Sequence, residues 1–232
     1  MKGLYAIVDT KLLARRGTDP IDYARALLAA QPAALQLRAK DLPARAILGL
    51  LRALGPLCRQ AGVPLVANDR ADLAALAGCE VVHIGQDDLP YELVHRIAPQ
   101  LSVGISTHSP AQLERALVAR PRYVAYGPVF ETTTKSNPDP VVGIDGLARA
   151  SKRARADGTP VVAIGGITLE RIAEVAPHAD AFAVISDLYP DGATLGDVRQ
   201  RAIAFQVALG ITTLEGGPGT RGLAGSKARG AA

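Results

Sequence analysis

The sequence predicts a (β/α)8 TIM barrel, a single domain of the α/β class. Eight short apolar runs recur along the chain, and each ends in a small or polar residue. Several runs are apolar without alternation, as expected of parallel strands covered on both faces. Chemically reactive side chains cluster just beyond the runs, where barrel enzymes carry their active sites. The predicted strands lie near 4–8, 34–37, 64–67, 81–84, 102–105, 123–126, 160–164 and 182–185.

The segments between these runs predict helices. Apolar residues there repeat at intervals of three and four, so each helix would lay one apolar stripe against the sheet. Two such stripes are Ile47, Leu51, Leu54 and Cys58, and Val198, Ala202, Phe205 and Leu209. Helix starts are predicted where an N-cap oxygen or a proline precedes a stripe. These starts are Asp19 with Pro20, Asp41, Ser109 with Pro110, and Thr168.

A single barrel accounts for nearly the whole chain. The chain has 232 residues, close to the roughly 250 residues of a typical barrel, so we expect the barrel to occupy residues 1–210. The remaining stretch, 211–232, is rich in glycine and alanine and contains few large apolar side chains. Such a composition cannot offset the entropy lost on ordering, and we expect a disordered tail.

Charge and cysteine content limit the classes of partner. Half of the formal net charge of +4 falls in the tail, so the barrel is too weakly basic to predict nucleic-acid binding. No apolar run approaches the roughly 18 residues of a bilayer span, and no membrane partner is expected. Two cysteines, Cys58 and Cys79, are present, which predicts a reducing, cytoplasmic setting rather than a disulfide framework. The sequence makes no prediction of the oligomeric state.

The second strand ends in an amide and two cations. Gln36, Arg38 and Lys40 alternate, so their side chains would leave the backbone on one face of an extended segment. Taken alone, this cluster is equally consistent with a solvated basic strand end. Its functional interpretation is a site for an anion and a heterocycle.

Carboxylates follow the third and fourth strands. Asn68 and Asp69 precede one helix, and Asp87 and Asp88 precede the next. Any one of them could cap a helix, but a single cap does not require two adjacent acids. Neighbouring strands of a barrel lie about 5 Å apart, so Asp69 and Asp88 could share one hard cation. Mg²⁺ held by two carboxylates completes its coordination with water and substrate phosphate, which predicts a diphosphate substrate beside Arg38.

The later strand ends supply hydroxyls and bare backbone amides. Ser106 follows the fifth strand, and the long loop 132–140 after the sixth carries threonines and a lysine that suit phosphate capture. Gly165 and Gly166 follow the seventh strand and Ser186 the eighth, the usual position of a barrel phosphate site. Taken singly, the loop could be solvated and the glycines a tight turn. Of the four histidines, we expect His108 alone near the barrel mouth, with His83, His95 and His178 structural.

Five short motifs, in order and each at a strand end, together resemble the thiamine-phosphate synthase family. They are QLRAK at 36–40, NDR at 68–70, GQDDLP at 85–90, GIS at 104–106 and TTTK at 132–135. The resemblance extends from about residue 3 to residue 186 and leaves out the tail. It implies an enzyme that joins hydroxymethylpyrimidine diphosphate to a thiazole phosphate, forming thiamine phosphate and releasing diphosphate.

The resemblance also implies a role for each site residue. The pyrimidine diphosphate would be bound by Gln36, Leu37, Arg38, Ala39, Lys40, Asn68, Ser106 and Lys135. Of these, Arg38, Lys40, Ser106 and Lys135 would take part in catalysis. The thiazole phosphate would be bound by Thr132, Thr133, Thr134, Gly166, Ile185 and Ser186. The cofactor would be Mg²⁺, ligated by Asp69 and Asp88.

The expected chemistry is electrostatic. Cations and Mg²⁺ would neutralise charge on the departing diphosphate, so that the pyrimidine methylene leaves as a carbocation and the thiazole nitrogen attacks it. Two alternatives stay open. A thiazole tautomerase of the same barrel family is favoured by His108 and by the stretch 130–132, but it leaves Asp69 and Asp88 unexplained. A non-catalytic thiamine-pathway binding protein would use the same pocket as a sensor.

Overall fold

The eight strands close into a parallel barrel, as the sequence predicts. The computed structural model describes residues 1–132 and 139–212. Strand order around the barrel follows the order along the chain, and β8 pairs with β1. The predicted strand positions are confirmed to within two residues at each end. The strands are β1 (Gly3–Asp9), β2 (Ala34–Arg38), β3 (Leu65–Asn68), β4 (Val81–Ile84), β5 (Ser102–Thr107), β6 (Tyr123–Tyr126), β7 (Val161–Ile164) and β8 (Ala181–Val184).

Helices follow the strands in turn, and β1 is followed by two of them. The first, α1, begins directly at the end of β1 and therefore lies at the carboxyl end of the barrel. The remaining helices connect each strand to the next and form the outer layer. The helices are α1 (Thr10–Arg16), α2 (Pro20–Leu28), α3 (Ala44–Ala61), α4 (Ala71–Ala77), α5 (Tyr91–Ile97), α6 (Pro110–Val118), α7 (Gly143–Ala156), α8 (Ile172–Val175) and α9 (Leu195–Ala208).

Two of the predicted helix starts are confirmed. Asp19 caps α2 by accepting from the amides of Ile21 and Asp22, and Pro20 occupies the first helical position. Ser109 caps α6 in the same manner, with Pro110 next to it. An N-cap oxygen followed by proline therefore marks a helix start in this chain.

The starts predicted at Asp41 and Thr168 are wrong. Helix α3 begins after Pro43 instead of at Leu42, because a residue that precedes proline is disfavoured in the helical region. The Asp41 carboxylate accepts a hydrogen bond from Thr10 Oγ1 at 2.6 Å. After Thr168 the chain forms a turn before α8 begins at Ile172, and the N-cap residue of that helix is Arg171.

Period-two alternation along the strands separates two cores. One set of side chains fills the inside of the barrel, including Tyr5, Ile7, Val66, Val81 and Tyr123. The other set packs between the sheet and the helices, and most residues of the predicted stripes on α3 and α9 belong to its buried part. Because successive side chains of a strand point to opposite faces, the inward residues near each carboxyl end are set by this alternation.

Most of the predicted tail lies outside the described residues. The barrel elements end with α9 at Ala208, and only Ile211 and Thr212 of the predicted tail are described. The division at residue 210 therefore stays a prediction. Among the described helices, none is long and apolar enough to cross a membrane.

Candidate active site

The carboxyl ends of β1 to β5 bring polar side chains together at the barrel mouth. Each of these polar residues lies two positions after a residue that faces the barrel interior. Because side chains alternate between the two faces of a strand, the polar side chains also face inward. Ile7 is followed in this way by Asp9, Val66 by Asn68, and Val81 by His83. Along β2 the inward positions are Ala34, Gln36 and Arg38, and along β5 they are Gly104 and Ser106.

Gln36 and Asn68 form an amide pair that leaves one donor without a partner. The Nε2 atom of Gln36 donates to Asn68 Oδ1 at 2.7 Å. The Nδ2 atom of Asn68 is buried and has no hydrogen-bond partner among the described residues. A buried amide donor without an acceptor is costly, so this atom is suited to an acceptor supplied by a ligand.

Leu37 and Ala39 face away from the barrel interior. Both are buried in the outer core, between the sheet and the helices. A ligand at the mouth would therefore meet their backbone atoms, whereas their side chains support the strand. Because side chains alternate along β2, Gln36 and Arg38 face the mouth and Leu37 faces the helices.

The Arg38 guanidinium is paired with a buried acid. Its Nη1 atom donates to Asp9 Oδ2 at 2.5 Å, and the two residues are partners in the register of β1 and β2. The side chain of Asp9 is nearly fully buried, whereas that of Arg38 is 21% exposed. Part of the guanidinium is therefore presented to the mouth.

Asp69 has a cation and a second acid as neighbours. Lys40 Nζ is 2.9 Å from Asp69 Oδ2, and the Asp88 carboxyl is within hydrogen-bonding reach of Asp69. Burial raises the pKa of Asp69, the nearby Asp88 carboxyl raises it further, and Lys40 opposes both effects. A raised carboxyl pKa beside another acid is typical of two like charges that share a site. The donor set of two facing carboxylates fits a hard divalent cation.

Neither carboxylate is used as a helix cap. Helix α4 has Arg70 as its N-cap residue and α5 has Pro90, and no side chain caps either helix. Asp69 instead adopts a left-handed backbone with φ of 65°, while Asp88 Oδ2 accepts from the amide of Gly85 at 2.7 Å. The capping alternative is therefore excluded for Asn68, Asp69 and Asp88. In the described part of the chain, no group of three or more His, Cys, Asp or Glu side chains is arranged to hold a metal ion.

Ser106 is attached to a hydrogen-bond chain inside the barrel. Its Oγ atom lies 2.8 Å from His83 Nε2, and His83 Nδ1 lies 3.0 Å from the hydroxyl of Tyr123. Tyr123 in turn shares a 2.8 Å hydrogen bond with the hydroxyl of Tyr5. Burial raises the pKa values of both tyrosines, so their hydroxyls remain protonated. His83 thus contacts a candidate site residue as well as the buried tyrosines, and its purely structural role stays a prediction.

The opposite side of the mouth is formed by the ends of β6, β7 and β8. Phe130 N donates to Gly165 O at 3.1 Å, which holds the loop after β6 against the turn after β7. A Cβ atom at Gly166 would overlap Glu131 O and Phe130 Cβ, and the residue has φ of +64°. Glycine is therefore required there by space and by conformation.

The loops after β7 and β8 are joined by a carboxylate. Asp187 Oδ2 accepts from the amide of Leu169 at 2.9 Å, and Asp187 Oδ1 accepts from Arg201 of α9 at 2.7 Å. These bonds fix the start of the short 3₁₀ turn at Ser186, beside Ile185. Ser186 is exposed and Ile185 is half-buried, so both backbone amides are near the surface of the mouth.

Three predicted residues lie outside the described part of the chain, namely Thr133, Thr134 and Lys135. Thr132 is described and is half-buried at the end of the loop that precedes them. His108, which we expect near the mouth, contacts the Gly127 carbonyl oxygen through Nδ1 at 2.6 Å. Its Nε2 atom is 3.4 Å from Asp139 Oδ2, so this ring connects the ends of β5 and β6 to the following loop.

Asp9 and His83 contact predicted site residues, and sequence reasoning did not select them. Their signal was the alternation itself, because each lies two residues beyond an inward apolar residue. Asp9 was also the acid that ended the first apolar run, and parallel register places it next to Arg38. Neither residue belongs to a short polar motif, which is why motif reasoning passed over them.

A family model, curated relatives and a solved structure are similar to this chain and belong to the thiamine-phosphate synthase family. A family model described as thiamine monophosphate synthase matches residues 4–188. A thiamine-phosphate synthase of Koribacter versatilis is 45% identical over 213 residues, covering 87% of this chain and 93% of the relative. One of Anaeromyxobacter dehalogenans is 39% identical, covering 95% and 91%. The solved thiamine phosphate pyrophosphorylase of Pyrococcus furiosus has a TM-score of 0.77 and 30% identity, covering 90% of this chain and 95% of that one.

Proposed function

Because the chain belongs to the thiamine monophosphate synthase family, we propose that it condenses hydroxymethylpyrimidine diphosphate with a thiazole phosphate in a Mg²⁺-assisted reaction. The products are thiamine phosphate and diphosphate. The observation that carries the proposal is the facing pair Asp69 and Asp88, with Lys40 in contact with Asp69. An acid pair of this kind beside cations suits a metal-bound diphosphate.

The pyrimidine diphosphate occupies the side of the mouth formed by β2 to β5. The amide pair of Gln36 and Asn68 binds the polar edge of the ring, and the unpartnered Asn68 Nδ2 donates to it. Arg38 and Lys40 bind the diphosphate, with backbone contacts from Leu37 and Ala39. Ser106 donates to the substrate while His83 holds its hydroxyl in place. Lys135 completes this set from the loop after β6.

Asp69 and Asp88 are the proposed metal ligands. Burial and the nearby Asp88 carboxyl both raise the pKa of Asp69, and a divalent cation bound by the two carboxylates would favour their charged forms. Mg²⁺ bound there would supply charge neutralisation on the diphosphate as it departs. Two carboxylates leave the remaining coordination positions to water and phosphate oxygens.

The side chains promote departure of the leaving group by binding it more tightly as its charge grows. Arg38, Lys40 and Lys135 provide positive charge where negative charge develops, which lowers the barrier. The pyrimidine methylene carbon then has carbocation character, stabilised by its electron-rich ring, and the thiazole nitrogen attacks it. Catalysis in this scheme depends on orientation and electrostatics, without a protein nucleophile.

The thiazole phosphate lies across the mouth from the diphosphate. Thr132, Thr133 and Thr134 offer hydroxyls, and Gly166, Ile185 and Ser186 offer backbone amides. The left-handed glycine at position 166 and the 3₁₀ turn at Ser186 support this arrangement, since phosphates bind well to backbone amides at turns and at the start of helical turns. The link through Asp187 keeps the two loops at a fixed separation.

Substituting Gly166 with alanine is expected to weaken thiazole phosphate binding selectively. The new Cβ overlaps Glu131 O and Phe130 Cβ, so the amide must move out of line with the phosphate. We expect KM for thiazole phosphate to rise roughly tenfold or more, with KM for pyrimidine diphosphate little changed. Steady-state kinetics with each substrate varied in turn measures both values.

Gly62→Ala is the matched control for this substitution. Gly62 has nearly the same φ, +68°, but a Cβ atom added there would have no neighbouring atom within 4 Å. It therefore carries the conformational cost of a left-handed alanine without the overlap. If Gly62→Ala raised KM for thiazole phosphate as much as Gly166→Ala does, the Gly166 amide would have no specific role.

The function is tested by supplying the purified protein with both substrates and Mg²⁺ and measuring thiamine phosphate by chromatography. We expect thiamine phosphate and diphosphate to form in equal amounts, and only when both substrates are present. Isomerisation of a thiazole carboxylate phosphate without metal, and without condensation, would instead indicate the tautomerase. Tight binding of the substrates with no product would indicate the sensor. The cytoplasmic location and the absence of a nucleic-acid partner stay predictions.

A further inference from the structure

We propose that Asp9 is a positioning residue that presents Arg38 to the diphosphate of the substrate. The inference rests on the proposed function, because it assumes that Arg38 binds a diphosphate. It adds a residue from the end of β1, a strand that none of the sequence motifs includes. Asp9 does not touch the substrate in this proposal and acts through Arg38 alone.

The two oxygens of the Asp9 carboxylate have separate tasks. Oδ1 accepts from the amide of Leu12 at 2.9 Å and thereby caps α1. Oδ2 accepts from Arg38 Nη1 at 2.5 Å. Asp9 is only 4% exposed, so its position is set by the surrounding core. A rigid acceptor of this kind fixes both the direction and the distance of the guanidinium that it holds.

The pair leaves most of the guanidinium available. Arginine has five N–H donors in a planar fork, and contact with Asp9 through one nitrogen leaves the remaining donors for a ligand. The Arg38 side chain is 21% exposed, at the barrel mouth. Within the described residues, Asp9 is the acidic side chain that pairs with it. An arginine that is already oriented loses less side-chain entropy when a diphosphate binds.

A second contact ties the same two strand ends together. Thr10, the residue after Asp9, donates from Oγ1 to Asp41 Oδ1 at 2.6 Å and lies 3.4 Å from the Arg38 carbonyl oxygen. The backbone of Arg38 is held by its pairing with β1, and its side chain is held by Asp9. Movement of the guanidinium therefore requires loss of the Asp9 contact.

The test substitutes Asp9 with asparagine and compares it with Asp19→Asn. Asparagine remains a good N-cap, so Asp9→Asn keeps the cap of α1 and removes the charge that holds Arg38. Asp19 caps α2 in the same way, is exposed, and accepts from the amides of Ile21 and Asp22, so Asp19→Asn controls for the chemical change. We expect Asp9→Asn to raise KM for pyrimidine diphosphate roughly tenfold or more and to leave KM for thiazole phosphate unchanged.

A double variant keeps the test decisive if Asp9→Asn destabilises the barrel. Asp9→Asn combined with Arg38→Gln replaces the ion pair with two neutral amides, so no unpaired charge remains in the site. If Asp9 acts through Arg38, the double variant is no less active than Arg38→Gln alone. A further loss in the double variant, or equal losses for both substrates in Asp9→Asn, overturns the inference. So does an Asp9→Asn enzyme that behaves like Asp19→Asn.

The same experiment separates failure of the inference from failure of the proposed function. If the unsubstituted protein makes no thiamine phosphate, the proposed function is wrong and the premise of the inference is lost. If the unsubstituted protein is active and Arg38→Gln impairs it, but Asp9→Asn does not, the function stands and the positioning role of Asp9 is rejected.

Discussion

Asp69→Asn is expected to lower kcat/KM for pyrimidine diphosphate by roughly a hundredfold or more, because removal of one of the two proposed metal ligands would weaken charge neutralisation on the leaving group. Asparagine is the suitable replacement because Asp69 has a left-handed backbone, with φ of 65°, which asparagine tolerates better than alanine does. The variant should also need more Mg²⁺ for half-maximal activity. Activity measured across a Mg²⁺ titration gives both quantities.

The fold should survive this substitution. Burial and, to a lesser extent, the neighbouring Asp88 carboxyl raise the pKa of Asp69, while Lys40 lowers it. Replacing the buried charge with a neutral amide therefore removes a desolvation cost, which offsets the lost contact with Lys40. Asp87→Asn is the control: it changes an exposed acid next to Asp88 in the same chemical way. We expect that control to retain normal Mg²⁺ dependence. Normal kinetics of Asp69→Asn at limiting Mg²⁺ would exclude Asp69 as a metal ligand.

Gly104→Ala is expected to destabilise the barrel and to impair catalysis at the same time. A Cβ atom at Gly104 would overlap the Cζ and hydroxyl atoms of Tyr123, a ring that is fully buried inside the barrel. Overpacking of this kind costs about 3 kcal/mol. For a domain of this size, that cost corresponds to a fall in Tm of roughly 10 °C. Thermal unfolding followed by circular dichroism measures the change.

The loss of activity in Gly104→Ala has a cause separate from the loss of stability. Tyr123 holds His83, which in turn holds Ser106, so a displaced Tyr123 ring misplaces the Ser106 hydroxyl. At temperatures well below its Tm, where the variant is fully folded, Gly104→Ala should therefore still be less active than the unsubstituted protein. Gly49→Ala is the control, since this exposed glycine within α3 has nothing within 4 Å of its Cβ position. It should stabilise the protein by about 0.5–1 kcal/mol. A Gly104→Ala protein with unchanged Tm and activity would contradict the assigned packing of Tyr123.

The fold could be predicted from the sequence because the barrel repeats one simple pattern. Short buried strands such as β4 and β6 are nearly continuous apolar runs, and their ends are confirmed at the predicted residues. The helix starts at Asp41 and Thr168 could not be predicted in the same way. Their oxygens resemble N-caps in sequence, but Pro43 delays α3, and a turn precedes α8. A residue with an N-cap side chain therefore does not start a helix where a proline two residues later or a turn follows it in the connecting loop.

The candidate site could be predicted where its residues form dense polar motifs. Gln36 and Arg38 stand out because they alternate with apolar residues at a strand end, and Asn68 and Asp69 stand out because they are adjacent polar residues after an apolar strand. Asp9 and His83 do not stand out, since Asp9 is a single acid at the end of an apolar run and His83 is a single polar residue within one. Their importance depends on contacts across strands, Asp9 with Arg38 and His83 with Ser106. Such contacts follow from barrel register, which a short motif does not contain.

The most direct test of the proposed metal-diphosphate site is a crystal structure of the protein grown with Mn²⁺ and inorganic diphosphate. Mn²⁺ replaces Mg²⁺ at oxygen sites and is located by its anomalous scattering. We expect one manganese peak bound by carboxylate oxygens of both Asp69 and Asp88, with a diphosphate oxygen completing the site and Arg38 and Lys40 in contact with the diphosphate. A manganese ion bound elsewhere, or a diphosphate held without either carboxylate, would contradict the proposed site.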